Sequence, residues 1–431
     1  MIHSAAIRLY DIAWRAAIPL LRLSARLKDG YNQRRLTSNL PPADLWIQAA
    51  SGGEAYLAET LIRQLSPGRP TRILVTTNTR QGMEILGKIS PPITAENPHC
   101  HITAAYCPFD RPALMEAAAA QVNPKLVVLL ETEIWPGLLY ALRARKCPVH
   151  IVNGRMRKNS LAGYRRFAGM LYKIRPESVL AISAADAARF AEIFGKDVVS
   201  VMPNIKFDRI SFSQEANAVK KSPLIPAGID FLVFGSIRRE EEGNIKEMLK
   251  KIRHECRDAV IGLFPRHMHR IDHWRSVLNQ VAPTAWRLRS EMAAPAKAGE
   301  IILWDTFGEL AKAYASATAV FVGGSLAPLG GQNFLEPLTY GIVPVIGPSW
   351  ENFSWVGDAI FRQGLVEKAA NWQQAADRLI RQMRTPPDNE RIIRTARAYI
   401  STRQGGTEQA CRRIRPRLHP VSDQCHAKVS S

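Results

Sequence analysis

Residues 45–77 read LWIQAASGGEAYLAETLIRQLSPGRPTRILVTT, and this stretch decides the fold. LWIQAA (45–50) is a short apolar run ending in the loop Ser51-Gly52-Gly53-Glu54. AYLAETLIRQL (55–65) repeats its apolar residues at helical spacing, and RILVTT (72–77) is a second apolar run. The rhythm continues outward. NTRQG (78–82) opens another helix, and LVVLL (126–130), PVHIVN (148–153) and VLAIS (179–183) follow as strands. Runs without alternation, separated by helices, are buried on both faces and predict a parallel α/β sheet.

ISFSQEANAVKKSPLIPAGID (210–230) breaks that rhythm: it is polar, holds two prolines and has no strong period, so it reads as a linker. A second set begins with FLVFGS (231–236) and continues through AVIGLFP (259–265), EIILWD (300–305), AVFVGG (319–324) and VPVIGP (343–348). The expected fold class is therefore α/β, with two Rossmann-like parallel-sheet domains. A ligand is expected in a cleft between them, at the carboxyl ends of the strands. The expected boundaries are an N-terminal helix at 1–35, a first domain at 36–209, the linker at 210–230 and a second domain at 231–405. A tail at 406–431, with Arg412, Arg413, Arg415 and Arg417, reads as a solvated basic run.

The 431 residues, 46% of them hydrophobic, are enough for several cores without disulfides or a structural metal. Six scattered cysteines form no C-x-x-C pair, so neither a zinc site nor a disulfide framework is expected. Net charge is +20, a field that attracts polyanions. No zinc finger, RNP motif or heptad zipper accompanies it, and no nucleic-acid partner is expected.

Residues 4–27, AAIRLYDIAWRAAIPLLRLSARLK, hold no apolar run long enough to span a bilayer. Arg8, Arg15 and Arg22, extended by Arg26, form one helical stripe; Tyr10, Trp14, Ala17 and Leu21 form another. That pattern suits a helix lying in an anionic membrane interface, with Pro19 as a kink. A soluble helix packed on the protein body and a single spanning anchor are the alternatives.

Two glycine pairs, Gly323-Gly324-Ser325 and Gly330-Gly331-Gln332-Asn333, follow a strand and lead towards Glu336 on an expected helix. Such loops bring backbone N–H groups close to an anion, and Glu336 could accept hydrogen bonds from a ribose diol. A plain tight turn is the bland alternative. Glu54 could deprotonate a hydroxyl if its pKa is raised, or simply cap its helix. Glu131 and Glu133 would share one side of an extended segment, for acid/base work or for binding neighbouring N–H groups. Arg155, Arg157 and Lys158, with Arg165 and Arg166, could receive phosphates or form a solvated face. Arg266 and His267 end a strand of the second domain. No D-x-D and no cluster with ligand spacing is visible, so neither metal nor cofactor is expected.

Ordered blocks along the chain resemble the Kdo transferases, GT-B glycosyltransferases that move 3-deoxy-D-manno-oct-2-ulosonic acid from CMP-Kdo onto lipid A precursors. The blocks are SGGE, TTNTRQG (76–82), YCPFD (106–110), ETEIWP (131–136), NGRMRKNSLAGY (153–164), NIKFD (204–208), GSIRREEE (235–242), FPRHMHR (264–270), DTFGEL (305–310) and the glycine-rich stretch. The resemblance implies that Glu54 is the general base and that Glu131 supports it. It places Ser51, Gly52, Gly53, Arg155, Arg157 and Lys158 with the acceptor. Ser236, Arg238, Arg266, His267, Gly323, Gly324, Ser325, Gly331, Asn333 and Glu336 fall with the donor. It also implies an anionic membrane surface as partner and a place on the cytoplasmic face of the inner membrane. The chain departs from the family pattern at Gly52, usually valine, at Arg238 and Gln332, usually histidine, and at Pro203, often glycine. Another activated sugar, or a basic binding protein on a degenerate transferase fold, are the competing readings.

Overall fold

The computed structural model describes residues 5–24, 27–212 and 222–419. Arg26, part of the linker, Cys425 and the end of the basic tail lie outside them. The chain divides into two units, Met1–Arg209 with Arg403–Ser431, and Ile210–Thr402.

The first unit is built on β1 (Leu45–Gln48), β2 (Thr71–Thr77), β3 (Cys100–Tyr106), β4 (Leu126–Leu130), β5 (Val149–Gly154), β6 (Ser178–Ala181) and β7 (Val199–Val201). Their order is β3-β2-β1-β4-β5-β6-β7, and every pairing is parallel. Ile47 lies between Val75 and Val128 in register. Every residue of β1, β4 and β5 is buried, because helices cover both faces. Leu45, Ile47, Val128 and Leu130 pack on one side; Trp46, Val127 and Leu129 pack on the other.

The second unit is built on β8 (Phe231–Ile237), β9 (Val260–Pro265), β10 (Trp286–Leu288), β11 (Ile301–Leu303), β12 (Ala319–Val322), β13 (Pro344–Ile346) and β14 (Glu367–Lys368). The order is β10-β11-β9-β8-β12-β13-β14, again parallel throughout. In the first unit the chain reverses and resumes beside β1; in the second it doubles back at β10, placing β11 between β10 and β9, and then crosses to β12 beside β8. Loops on either side of such a reversal diverge and leave a crevice at the strand carboxyl ends. The loops concerned follow β1 and β4 in one unit, and β8 and β12 in the other.

Apolar runs locate ten of these strands. The four that they miss, β3, β7, β10 and β14, are the four sheet edges. Edge strands are only partly buried here, so they need no continuous apolar run.

Two expectations are corrected. Residues 406–418 form a helix of the first unit rather than a solvated tail, and Ala410, Cys411, Ile414 and Leu418 are buried along one stripe against the helix Gly52–Leu65. Asp208 closes its start by accepting the N–H groups of Gly405 (2.7 Å) and Thr407 (2.6 Å). The second correction concerns the helix Ala5–Leu21. It packs through the face meant for the membrane, because Tyr10 finds a polar partner there: its hydroxyl donates to Asp110 at 2.7 Å. Trp14 meets Phe109 with ring centroids 6.0 Å apart, and Arg111 bridges to Asp11 at 3.0 Å. Leu9, Ile12 and Leu20, with Leu23 just beyond, are exposed instead, alongside Arg8, Arg15 and Arg22. Among the described residues no helix is long and apolar enough to cross a membrane.

Ile414→Ala should lower the unfolding free energy by about 2–5 kcal/mol, the usual cost of emptying a sealed apolar site. Arg412→Ala, exposed on the same helix, should change it by no more than about 0.5 kcal/mol. Urea titration followed by circular dichroism checks both.

Candidate active site

The loop after β1 turns into the helix Gly52–Leu65 with Ser51 as its cap. The Glu54 N–H donates to the Ser51 hydroxyl at 3.4 Å, and that hydroxyl donates to the Glu54 carboxylate at 3.0 Å. The Ala50 N–H donates to the second carboxylate oxygen at 2.7 Å. Glu54 therefore sits in the first turn of a helix capped by Ser51 and is also a buried acid. Burial, then Glu133 and Glu131, raise its pKa to about 8, against the lowering effect of its two hydrogen bonds. Hydrogen bonding at the helix start and an altered acidity coexist in one side chain.

Gly52 has a local reason. A Cβ there would lie 3.0 Å from the Gln81 and Ile85 side chains, which fill the space beside the loop. Gly53 is open, leaving room for a substrate next to the backbone.

Glu131 follows β4 with φ +56°, a left-handed conformation costing about 1–2 kcal/mol in a non-glycine residue. The segment from Glu131 to Trp135 is a turn rather than an extended stretch. Lys206, from the N-I-K-F-D block, donates to Glu131 at 2.7 Å, and the Trp135 indole donates to Glu133 at 2.6 Å. The two glutamates thus have separate partners while both act on Glu54.

A cavity of 350 Å³ adjoins this cluster, lined in part by Trp14, Arg34, Ala50, Asp110, Glu133 and Trp135. Arg34 is buried; it donates to the carbonyls of Asn78 (2.9 Å) and Cys107 (3.3 Å) and lies over the Tyr106 ring. Asp110 accepts the N–H groups of Gly137 (2.9 Å) and Leu138 (2.8 Å) at the start of the helix Pro136–Ala144, and burial raises its pKa to about 7. On the other side of Trp135 lies an apolar cavity of 650 Å³, whose walls include Leu9, Pro136, Tyr164, Phe167 and Met170. Arg157 and Lys158 are exposed at the start of the helix Lys158–Arg165, which lines that cavity. Arg155 is half-buried, and Arg165 is paired with Glu192 at 2.6 Å.

In the second unit Ser236, next to last in β8, has φ +58°, and the loops after β8 and β12 meet. The amides after β12 are already occupied. Glu241, fully buried, accepts the N–H groups of Gly324 (2.5 Å), Ser325 (3.2 Å) and Leu326 (3.3 Å), and that of Arg238 (2.9 Å). Gly323 is glycine because a Cβ would stand 2.5 Å from this carboxylate and 2.7 Å from the Ser236 carbonyl. The expected phosphate cradle at Gly323, Gly324 and Ser325 is thus closed by an acid of the protein itself.

Beyond Gly331, whose N–H donates to the Gly324 carbonyl at 2.8 Å, the backbone N–H groups of Gln332, Asn333 and Phe334 have no partner among the described residues. No α-helix follows. Glu336 precedes a single 3₁₀ turn, Pro337–Tyr340, because Pro337 denies the stretch an N–H and Gly341 ends it. The Glu336 carboxylate has no hydrogen-bond partner, and burial raises its pKa. The Arg238 Nε is buried without a hydrogen bond. Arg266 and His267 are exposed after β9; burial, Arg238, Arg266 and His269 lower the His267 pKa, so its ring is neutral among cations. Among the described residues no three His, Cys, Asp or Glu side chains gather as a metal site.

Sequence reading named Glu54, Glu131 and Glu336 but not Arg34, Lys206 or Glu241 as site residues. Lys206 and Glu241 sit in quoted blocks, which was the available signal.

The two-sheet architecture aligns with a glycosyltransferase from Rickettsia africae at a TM-score of 0.56, covering 88% of this chain and all of that one at 11% identity. The fold is GT-B-like, with two parallel seven-stranded sheets. The family model for 3-deoxy-D-manno-octulosonic-acid transferase matches residues 21–209. A 3-deoxy-D-manno-octulosonic acid transferase of Bordetella pertussis is 29% identical over 380 residues, covering 85% of this chain and 86% of the relative. One from Haemophilus influenzae is 29% identical over 77% of each. The chain is thus similar to Kdo transferases over most of its length.

Glu54 ionises near pH 4.5 when unfolded and near 8 when folded, so between those values the unfolded state binds fewer protons. Stability must then fall as pH rises across that window. Glu54→Gln, which reproduces the protonated acid, should make that fall shallower, leaving the share due to Asp110, and be more stable than wild type at pH 8. Urea titrations at pH 5 and pH 8 check this.

Proposed function

We propose that this chain transfers Kdo from CMP-Kdo to a lipid A precursor, with inversion at the anomeric carbon. The observation that carries the reading is Glu54: a carboxylate held at a strand end, its proton affinity raised by burial and then by two further glutamates. An acceptor hydroxyl lodges in the cavity beside Ala50 and Glu133. Glu54 takes its proton as the oxygen attacks the anomeric carbon, and the bond to CMP breaks with its electron pair going to the phosphate. Glu131, held in place by Lys206, adds to the negative field that raises the proton affinity of Glu54.

The donor nucleotide is held by the second unit. The ribose diol donates to Glu336, which has no other partner, and the phosphate takes the free amides of Asn333 and its neighbours. Gly331 places that loop, and Gly323, Gly324 and Ser325 support it from behind through Glu241. Ser236, Arg238, Arg266 and His267 balance the charge of the phosphate and of the Kdo carboxylate.

Acyl chains of the acceptor occupy the apolar cavity between Leu9 and Phe167, while Arg155, Arg157 and Lys158 meet its phosphates. The exposed Leu9, Ile12, Leu20 and Leu23, flanked by Arg8 and Arg22, rest in the cytoplasmic leaflet of the inner membrane. Ser51, Gly52 and Gly53 frame the opening.

The test is mass spectrometry of a tetraacylated lipid A precursor after incubation with the full chain and freshly generated CMP-Kdo. Wild type should add one or more Kdo units. Glu54→Gln should be at least about 100-fold slower, the ordinary contribution of a general base. The wild-type kcat/KM should climb with pH up to about 8, where Glu54 becomes ionised. An intact lipid after complete CMP-Kdo delivery, or an unimpaired Glu54→Gln, would sink the reading.

A further inference from the structure

A glycine-rich loop behind a parallel strand offers several backbone N–H groups in one concave patch, and each such patch holds about one anionic group. The second unit has two adjacent patches. The first, the amides of Gly324, Ser325 and Leu326, is filled by the Glu241 carboxylate, which also takes the Arg238 N–H and has no exposed surface. The second, the amides of Gln332, Asn333 and Phe334, is free among the described residues. They are neighbours: Gly331 donates to the Gly324 carbonyl, and Gln332 Cγ lies 2.9 Å from where a Gly324 Cβ would be. An independent observation points to a ligand here. The Nε of Arg238 makes no hydrogen bond and has only the exposed Glu240 carboxylate at 3.8 Å, and the Cγ of that side chain lies 3.6 Å from the same Gly324 position.

We propose that this site accepts one phosphate and not two, and that Glu241 is the specificity-determining residue. Its carboxylate stands where a second phosphate would need N–H donors, and it meets that phosphate with like charge. A nucleoside monophosphate donor needs only the free patch; a nucleoside diphosphate donor would have to displace a side chain tied down by four amides. This deepens the reading above and rests on it for the sugar, but the phosphate count is separate from the base. Glu241 touches no reacting atom.

Isothermal titration of the full chain with CMP, CDP, UMP and UDP, in EDTA, tests the proposal. With wild type, CMP should bind at least as tightly as CDP, and UMP at least as tightly as UDP. In Glu241→Ala, which empties the first patch, the diphosphate should gain about tenfold on the monophosphate, the scale of removing one like-charge clash. Glu241→Asp, whose carboxylate falls one methylene short, should move the ratio the same way by less. A role confined to loop stability would weaken both nucleotides together and leave the ratio unchanged, which overturns the proposal. A diphosphate bound tenfold more tightly by wild type overturns it without any variant. If the monophosphate preference holds while uridine binds better than cytidine, the phosphate count stands and the CMP donor reading falls.

Discussion

Parallel sheets leave backbone amides stranded wherever a strand hands over to a loop or a helix begins, and a buried amide without a partner is costly. Here those amides are met repeatedly by acids drawn in from the chain. Asp110 accepts two at the start of the helix Pro136–Ala144, Asp208 accepts two near Gly406, and Glu241 accepts four where β8 and β12 end. Glu54 accepts the Ala50 amide at the start of its own helix. The chemistry follows from this. Glu54, Asp110 and Glu241 are carried out of water to do this structural work, and at Glu54 and Asp110 desolvation then raises the proton affinity.

Backbone geometry concentrates at the same places. Glu131, Asn153 and Ser236 are non-glycine residues with positive φ, and all three lie at the carboxyl ends of strands. Such conformations persist only where surroundings over-determine them. For Glu131 the surroundings are identifiable: its N–H donates to the Val152 carbonyl at 3.0 Å while Lys206 grips its carboxylate. The side chain is fixed from both ends.

Most of the fold was legible because β1, β4, β5 and β8 are sealed on both faces and therefore spell continuous apolar runs. β3 and β14 are not sealed and left no such trace. Glu54 was legible because a glycine pair, a cap residue and a carboxylate at a strand–helix junction are local features. Glu241 was not, since 83 residues separate it from Gly324 and nothing in either stretch names its partner. The expected helix around Glu336 failed on a local rule that glycine-loop reasoning overrode: Pro337 follows it directly. The basic tail failed because its arginines drew attention from the stripe Ala410, Ile414 and Leu418.

That stripe bears on how the protein is made. The helix 406–418 completes a unit whose other residues end at Arg209, and the second unit lies between them in the chain. At a synthesis rate of about 5–20 residues per second, the roughly 190 intervening residues take about 10–40 s to emerge. For that interval Leu57, Leu61 and their neighbours on the first unit lack the cover they will finally have. Until then the first unit is an incomplete particle with an apolar side still uncovered.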